Sequence, residues 1–126
     1  MLLDNRYAPL TKAIIGCAMR VHTALGNGFP EIIYQRSLAV EFAQHGLPFE
    51  QELHLPVYYL NKEVGSRRVD FLVDKAVLVE LKALTEITPL HYAQTINYLK
   101  AYQLEVGLLL NFGEASLKYK RFLRSA

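Results

Sequence analysis

The sequence predicts a single mixed α/β domain in the order α-α-β-β-β-α-β-β, with a mixed sheet flanked by helices. Three observations predict it. Apolar residues at helical spacing fill the first 45 positions. An alternating stretch from residue 49 to 83, broken by two turn signals, reads as a three-stranded meander. After a third helical stretch, Val106-Gly-Leu-Leu-Leu-Asn-Phe112 is continuously apolar, as expected of a strand buried on both faces. The 126 residues suit one domain with a real core, and 52% hydrophobic with 21% charged residues is ordinary for a soluble globular protein.

Residues 8–25 are the first expected helix. Ile14, Ala18, Val21 and Leu25 form one apolar stripe, and Ile15, Met19 and His22 a second, so burial on much of its circumference is expected. Gly26-Asn-Gly28 ends it, since glycine accepts a left-handed cap. His22 reads as a packing histidine. Residues 30–45 are the second helix, with Pro30 in its first turn and Gly46 closing it. Glu31 shares the face of Tyr34 and Leu38. It either complements the helix N-terminus or reaches toward a site.

Residues 49–60, 63–73 and 76–83 are the meander. In the first strand Leu53, Leu55, Val57 and Tyr59 alternate with Glu52, His54 and Tyr58, and Pro56 marks an edge or a bulge. His54 reads as a surface residue. Asn61-Lys62 and Asp74-Lys75 supply the turns. Residues 88–104 are the third helix, with Thr88 as cap and Pro89 in the first turn. The strand at 106–112 then joins the sheet in parallel after this crossover. Residues 115–124 are a last edge strand. Its Lys118, Lys120, Arg121 and Arg124 either track phosphates or, as is commoner, keep an edge soluble.

The chemistry gathers in Arg68-Val-Asp70 through Val79-Glu80-Leu-Lys82. Glu80 and Lys82 are two apart in a strand and project to one side. Asp70 lies ten residues before Glu80 on the neighbouring strand, so a tight turn brings the two acids together. Ionised groups inside an apolar sheet must be compensated. A divalent cation does this for two carboxylates, and Mg²⁺, with Mn²⁺ as a substitute, prefers such oxygen ligands. A lysine beside it can hold a phosphate or help deprotonate a water. The bland alternative is a solvated Glu-x-Lys edge.

Asp70–x9–Glu80-x-Lys82 resembles the core motif of the PD-(D/E)XK nuclease superfamily, with its restriction-endonuclease-like core. Gly28-Phe-Pro-Glu31-Ile-Ile-Tyr34 resembles the signature of the GxxExxY family of small bacterial proteins, which is grouped with that superfamily. The likeness continues through Val21-His22, Leu25-Gly26, Val57-Tyr58-Tyr59, Val64-Gly65, Ala93-Gln94, Asn97 to Ala101 and Gly107 to Gly113. It implies a Mg²⁺-dependent nuclease acting on DNA or RNA. Asp70, Glu80 and the Leu81 carbonyl would hold the metal, with Glu31 as a further ligand or base, and Lys82 would position water or stabilise charge. Gln94-x-x-x-Tyr98 resembles the Gln-x-x-x-Tyr element of RecB-type members, which implies that these two side chains orient the strand, Lys82 or the attacking water. His91, on the same helix face, and Lys100 are further substrate-contact candidates. Val69 stands where the motif name has proline.

One cysteine, Cys17, excludes an internal disulfide and reads as a small buried hydrophobe, and no zinc-type Cys–His spacing occurs. No apolar run is long enough to cross a bilayer, so a cytoplasmic protein with no membrane partner is expected. The net charge of +2 permits nucleic-acid binding without demanding it. The rival function is a catalytically silent module that binds nucleic acid or protein. Tyr58, Tyr59, Tyr92 and Tyr102 also leave room for a homodimer.

Overall fold

A computed structural model describes residues 2–124, with side chains from Arg6 onward. Helix α1 spans Leu2–Leu25 and therefore begins six residues before the expected start. Pro9 lies inside it. Proline removes one ladder hydrogen bond, a loss that does not end a helix whose later turns are packed. Ile14, Cys17, Ala18 and Val21 are buried, and in the second stripe Ile15 packs against the core and His22 is buried, while Met19 is 45% exposed. Helix α2 spans Glu31–Gln44, and Pro30 is its cap rather than part of its first turn. Gly46 closes it with φ +68°, and Leu47 N–H returns to Phe42 O at 2.9 Å.

The strands are β1 (Phe49–Tyr59), β2 (Lys62–Val73), β3 (Val77–Lys82), β4 (Val106–Asn111) and β5 (Lys118–Leu123), with α3 (Pro89–Ala101) between β3 and β4. They form one sheet in the order β1-β2-β3-β4-β5. Every pairing is antiparallel except β3 with β4, which is parallel as a helical crossover requires. The edges are β1, with Pro56, and β5, with its lysines. The third helix ends three residues earlier than the sequence suggests. Gln103 turns left-handed at φ +55°, and Leu104 N–H bonds Leu99 O at 3.0 Å.

The sheet has a core on each face. Helices α1 and α2 cover Phe71, Val73, Val77, Val79, Leu81, Leu108, Leu110 and Phe112. Helix α3 covers the other face, where Leu99 meets Leu78 and Leu109. A Cβ on Gly107 would stand 3.0 Å from Leu99 Cδ2, so a glycine lets α3 lie this close.

The β1–β2 hairpin breaks simple alternation. Phe49 and Phe71 pack under α2, whereas Leu53, Leu55 and Val69 pack with the α3 core, although each strand's set shares one parity. The switch falls where the register passes from Gln51↔Phe71 to Leu53↔Val69. Between them Glu52 has φ +53°, a left-handed conformation that is costly for a residue with a side chain. This turns the outer half of the hairpin toward α3. The expected inward row therefore ends early, and Tyr59 is 67% exposed.

Candidate active site

The β2–β3 ladder runs Val73↔Val77, Leu72↔Leu78 and Phe71↔Val79, and then stops. The next residues are Asp70 and Glu80. Asp70 N–H donates to Glu80 Oε1 at 3.0 Å, and Leu81 N–H donates to Asp70 Oδ2 at 2.8 Å. The carboxylates thus take up backbone donors that the parting strands would leave unpaired. The left-handed Glu52 lies across β2 from this fork.

Gln35 Nε2 donates to Asp70 Oδ1 at 2.8 Å, and Gln51 Nε2 donates to Gln35 Oε1 at 3.0 Å. Gln35 is buried one turn after Glu31 on α2. This chain of amides holds the Asp70 carboxylate in one orientation. Beyond the fork, Phe112 N–H bonds Lys82 O at 2.8 Å. Asn111 clasps Leu84 through its N–H and its carbonyl, both at 2.9 Å. The backbone that follows Lys82 is therefore fixed as well.

Glu80 is 8% exposed, and burial beside Asp70 pushes its carboxyl up to about 8, against the pull of the Asp70 N–H and Lys82. Burial also raises Asp70, opposed by the Leu81 N–H, Gln35, Lys82 and Arg68. Glu31 is raised by loss of hydration and by Asp70, and is drawn back by Lys82 and Arg68. Among the described residues, no basic side chain lies within 4.0 Å of these three acids. A buried and a half-buried carboxylate that need more positive charge than the protein supplies fit a hard divalent cation with oxygen ligands. Leu81, whose peptide adjoins both acids, offers the carbonyl.

Glu31 stands at the rim. It feels Asp70 and Lys82 electrostatically, yet it does not join the pair in a group of three whose ligand atoms all lie within 4.8 Å. Among the described residues that description fits Cys17, Glu41 and His45 at the far end of α2. A cation is already there. Arg20 Nε donates to Glu41 Oε1 at 2.8 Å, and Arg20 Nη2 to Cys17 Sγ at 3.4 Å.

Gln94 and Tyr98 line a groove between α3 and the outer half of the hairpin, with a cavity of about 400 Å³. Tyr98 also packs against the core cluster that holds Val69, the neighbour of Asp70, and burial raises its hydroxyl, with Glu80 adding to the effect and Arg67 opposing it. His91 is engaged elsewhere: its Nδ1 accepts the Thr88 N–H at 3.0 Å and caps α3. Lys100 is exposed in the last turn of α3, where a cation suits the helix dipole, and it is not among the residues lining the groove. Sequence reasoning missed Gln35, Arg67 and Arg68. The signal for Gln35 was its i, i+4 spacing from Glu31; the two arginines directly precede Val69-Asp70.

The architecture defines the class, a restriction-endonuclease-like α/β domain with an acid pair where two central strands part. The chain belongs to the PD-(D/E)XK nuclease superfamily, whose description matches residues 8–122. A solved structure titled "Crystal structure of SSO0001" is similar at a TM-score of 0.58 and 17% identity. The match covers 98% of this chain and 62% of that one, so this chain spans less than two thirds of that protein. Comparison with curated proteins finds no match. No helix among the described residues is long and apolar enough to cross a membrane.

Proposed function

We propose that the chain is a Mg²⁺-dependent nuclease that hydrolyses phosphodiester bonds in DNA or RNA. The observation that carries this reading is the strand fork, where the Asp70 N–H donates to the Glu80 carboxylate and the Leu81 N–H donates to the Asp70 carboxylate inside the sheet. Asp70, Glu80 and the Leu81 carbonyl are the residues that would hold the ion, with Mn²⁺ able to substitute. When bound, the ion supplies charge neutralisation at the phosphate and a more acidic water.

The side chains do the rest. Gln35 keeps Asp70 turned toward the fork. Lys82 projects from the same strand as Glu80 and meets the negative charge that develops on the phosphate, or takes part in proton removal from the water. Glu31, raised above the usual carboxylate range at the rim, is placed to accept a proton from an approaching water. Gln94 and Tyr98 orient the strand that enters along α3.

Gly28 to Tyr34 supports a finer placement in the GxxExxY family, and with it a bacterial, cytoplasmic setting. In the fold, Tyr34 has a structural part to play: its hydroxyl donates to Gly26 O at 2.5 Å and accepts Phe29 N–H at 3.2 Å, which shapes the loop that presents Glu31. The test is incubation with labelled DNA and RNA in Mg²⁺, Mn²⁺ or EDTA. Metal-dependent cleavage that Lys82→Ala abolishes is expected. Salt-sensitive binding without cleavage under any metal would favour the silent module. Whether a second copy covers the exposed Tyr58 and Tyr59 is read from the mass in solution.

A further inference from the structure

We infer that the groove between α3 and the outer β1–β2 hairpin is a binding site for an unpaired nucleic-acid strand, so that the substrate enters the acid fork as a single strand rather than as a duplex. The inference rests on the nuclease reading for the identity of the fork, and on the groove itself for the choice of strand.

Arg67, Gln94, Asn97, Tyr98 and Tyr102 line the groove together with the hairpin backbone from Gly65. Its volume of about 400 Å³ is at the small end of ligand sites, enough for a nucleotide or two and too small for a duplex. The two tyrosine rings lie 6.4 Å apart with a 35° tilt, and Tyr102 is anchored by its hydroxyl to Leu55 O at 3.1 Å. Arg67 lines the same groove as both phenols. Anchored aromatic rings beside a cation are what sequence-tolerant single-strand binders use, because each unpaired base offers a π-face to stack upon. In a duplex those faces are already covered by neighbouring bases.

The hairpin tip continues the same chemistry. Tyr58, Tyr59, Leu60 and Val64 are 61–78% exposed. The segment from Val57 to Arg68 carries Lys62, Arg67 and Arg68 against Glu63, and Glu52 pairs with Arg68 at 3.5 Å, so a net positive charge remains. This excess of positive charge favours a polyanion over a second copy of the same tip, which would repel it. Tyr98 packs against the core cluster that holds Val69, the residue before Asp70, so the groove adjoins the strand that leads to the fork.

The test is fluorescence anisotropy of a labelled single strand of about 12 nucleotides, within the site sizes of such binders, and of the same sequence as a duplex. Both are titrated with the full chain in EDTA, where cleavage does not interfere. Binding of the single strand at least about tenfold tighter is expected. Arg67→Gln, at an exposed position, should lower the salt slope of single-strand binding by about 0.7. Tyr98→Ala should weaken binding by about five- to hundredfold while Tyr98→Phe keeps it. Equal or tighter duplex binding would overturn the inference, as would an unchanged salt slope in Arg67→Gln. So would a dimer that masks the tip and excludes the strand. Single-strand binding without cleavage in Mg²⁺ would leave this site standing and remove the nuclease reading. Cleavage of duplex with no preference for single strands would do the reverse.

Discussion

Glu80 makes the stability of the metal-free protein depend on pH in an unusual direction. Its carboxyl is ordinary in the unfolded chain, at 4.5, and is raised to about 8 in the fold by burial beside Asp70. Between those values the folded state binds more protons than the unfolded one, so stability falls as pH rises. It is greatest below 4.5 as far as this group is concerned, and the loss is complete above about 8. At about 1.4 kcal/mol per pH unit the loss reaches about 3 kcal/mol by pH 7 and about 5 kcal/mol in full. Asp70, raised for the same first reason, acts in the same direction. Such a loss is a large fraction of the ~5–15 kcal/mol that holds a domain together. Urea unfolding in EDTA at about pH 5 and pH 8 measures it. Wild type should lose several kcal/mol between the two, Glu80→Gln should lose much less, and Mg²⁺ should stabilise wild type far more at the higher pH. A flat wild-type profile in EDTA, or an equally steep one in Glu80→Gln, would refute the reasoning.

Other perturbations test neighbouring parts. Lys82→Ala should lower cleavage by about 10²–10⁴-fold in a gel assay while leaving the unfolding midpoint nearly unchanged. Gln35→Leu removes the donor that orients Asp70 Oδ1 and should weaken Mg²⁺ or Mn²⁺ binding by about 10–100-fold in a calorimetric titration. Gly113→Ala would press a Cβ to 2.3 Å from Leu84 O and 2.4 Å from Leu84 N, both backbone atoms just beyond Lys82. It should cost at least about 1–3 kcal/mol by denaturant unfolding. Glu52→Gly should keep stability within about 1 kcal/mol of wild type because glycine accepts φ +53°, whereas Glu52→Val should lose more than that.

The order of elements was legible because it rests on local periodicity. The continuous apolar strand Val106–Asn111, the Gly46 stop and the Thr88-Pro89 start each have a short-range cause, and each is in place. The meeting of Asp70 with Glu80 was legible for the same reason, since a tight turn fixes which residues face each other. The face switch at Glu52 was not. Gln51-Glu52 interrupts the alternation with two polar residues, but that pattern does not say that Glu52 turns left-handed or that Leu53 and Leu55 go to the α3 side. Gln35 was hidden because its partners are 35 and 16 residues away, which no local pattern reports. His91 lay on the expected helix face with Gln94 and Tyr98, yet its ring turns back to the Thr88 N–H. A helical stripe gives direction to a face and not to each rotamer. The same limit applies to Met19, which is 45% exposed although Ile15 and His22 of its stripe are packed.

The most direct measurement is a crystal of the full chain soaked in Mn²⁺ and examined at the manganese absorption edge. An anomalous peak about 2.0–2.3 Å from the carboxylates of Asp70 and Glu80, near the Leu81 carbonyl, is the expected result. No peak between the two acids at saturating Mn²⁺, or a peak only at another position such as Cys17 and His45, would contradict the account.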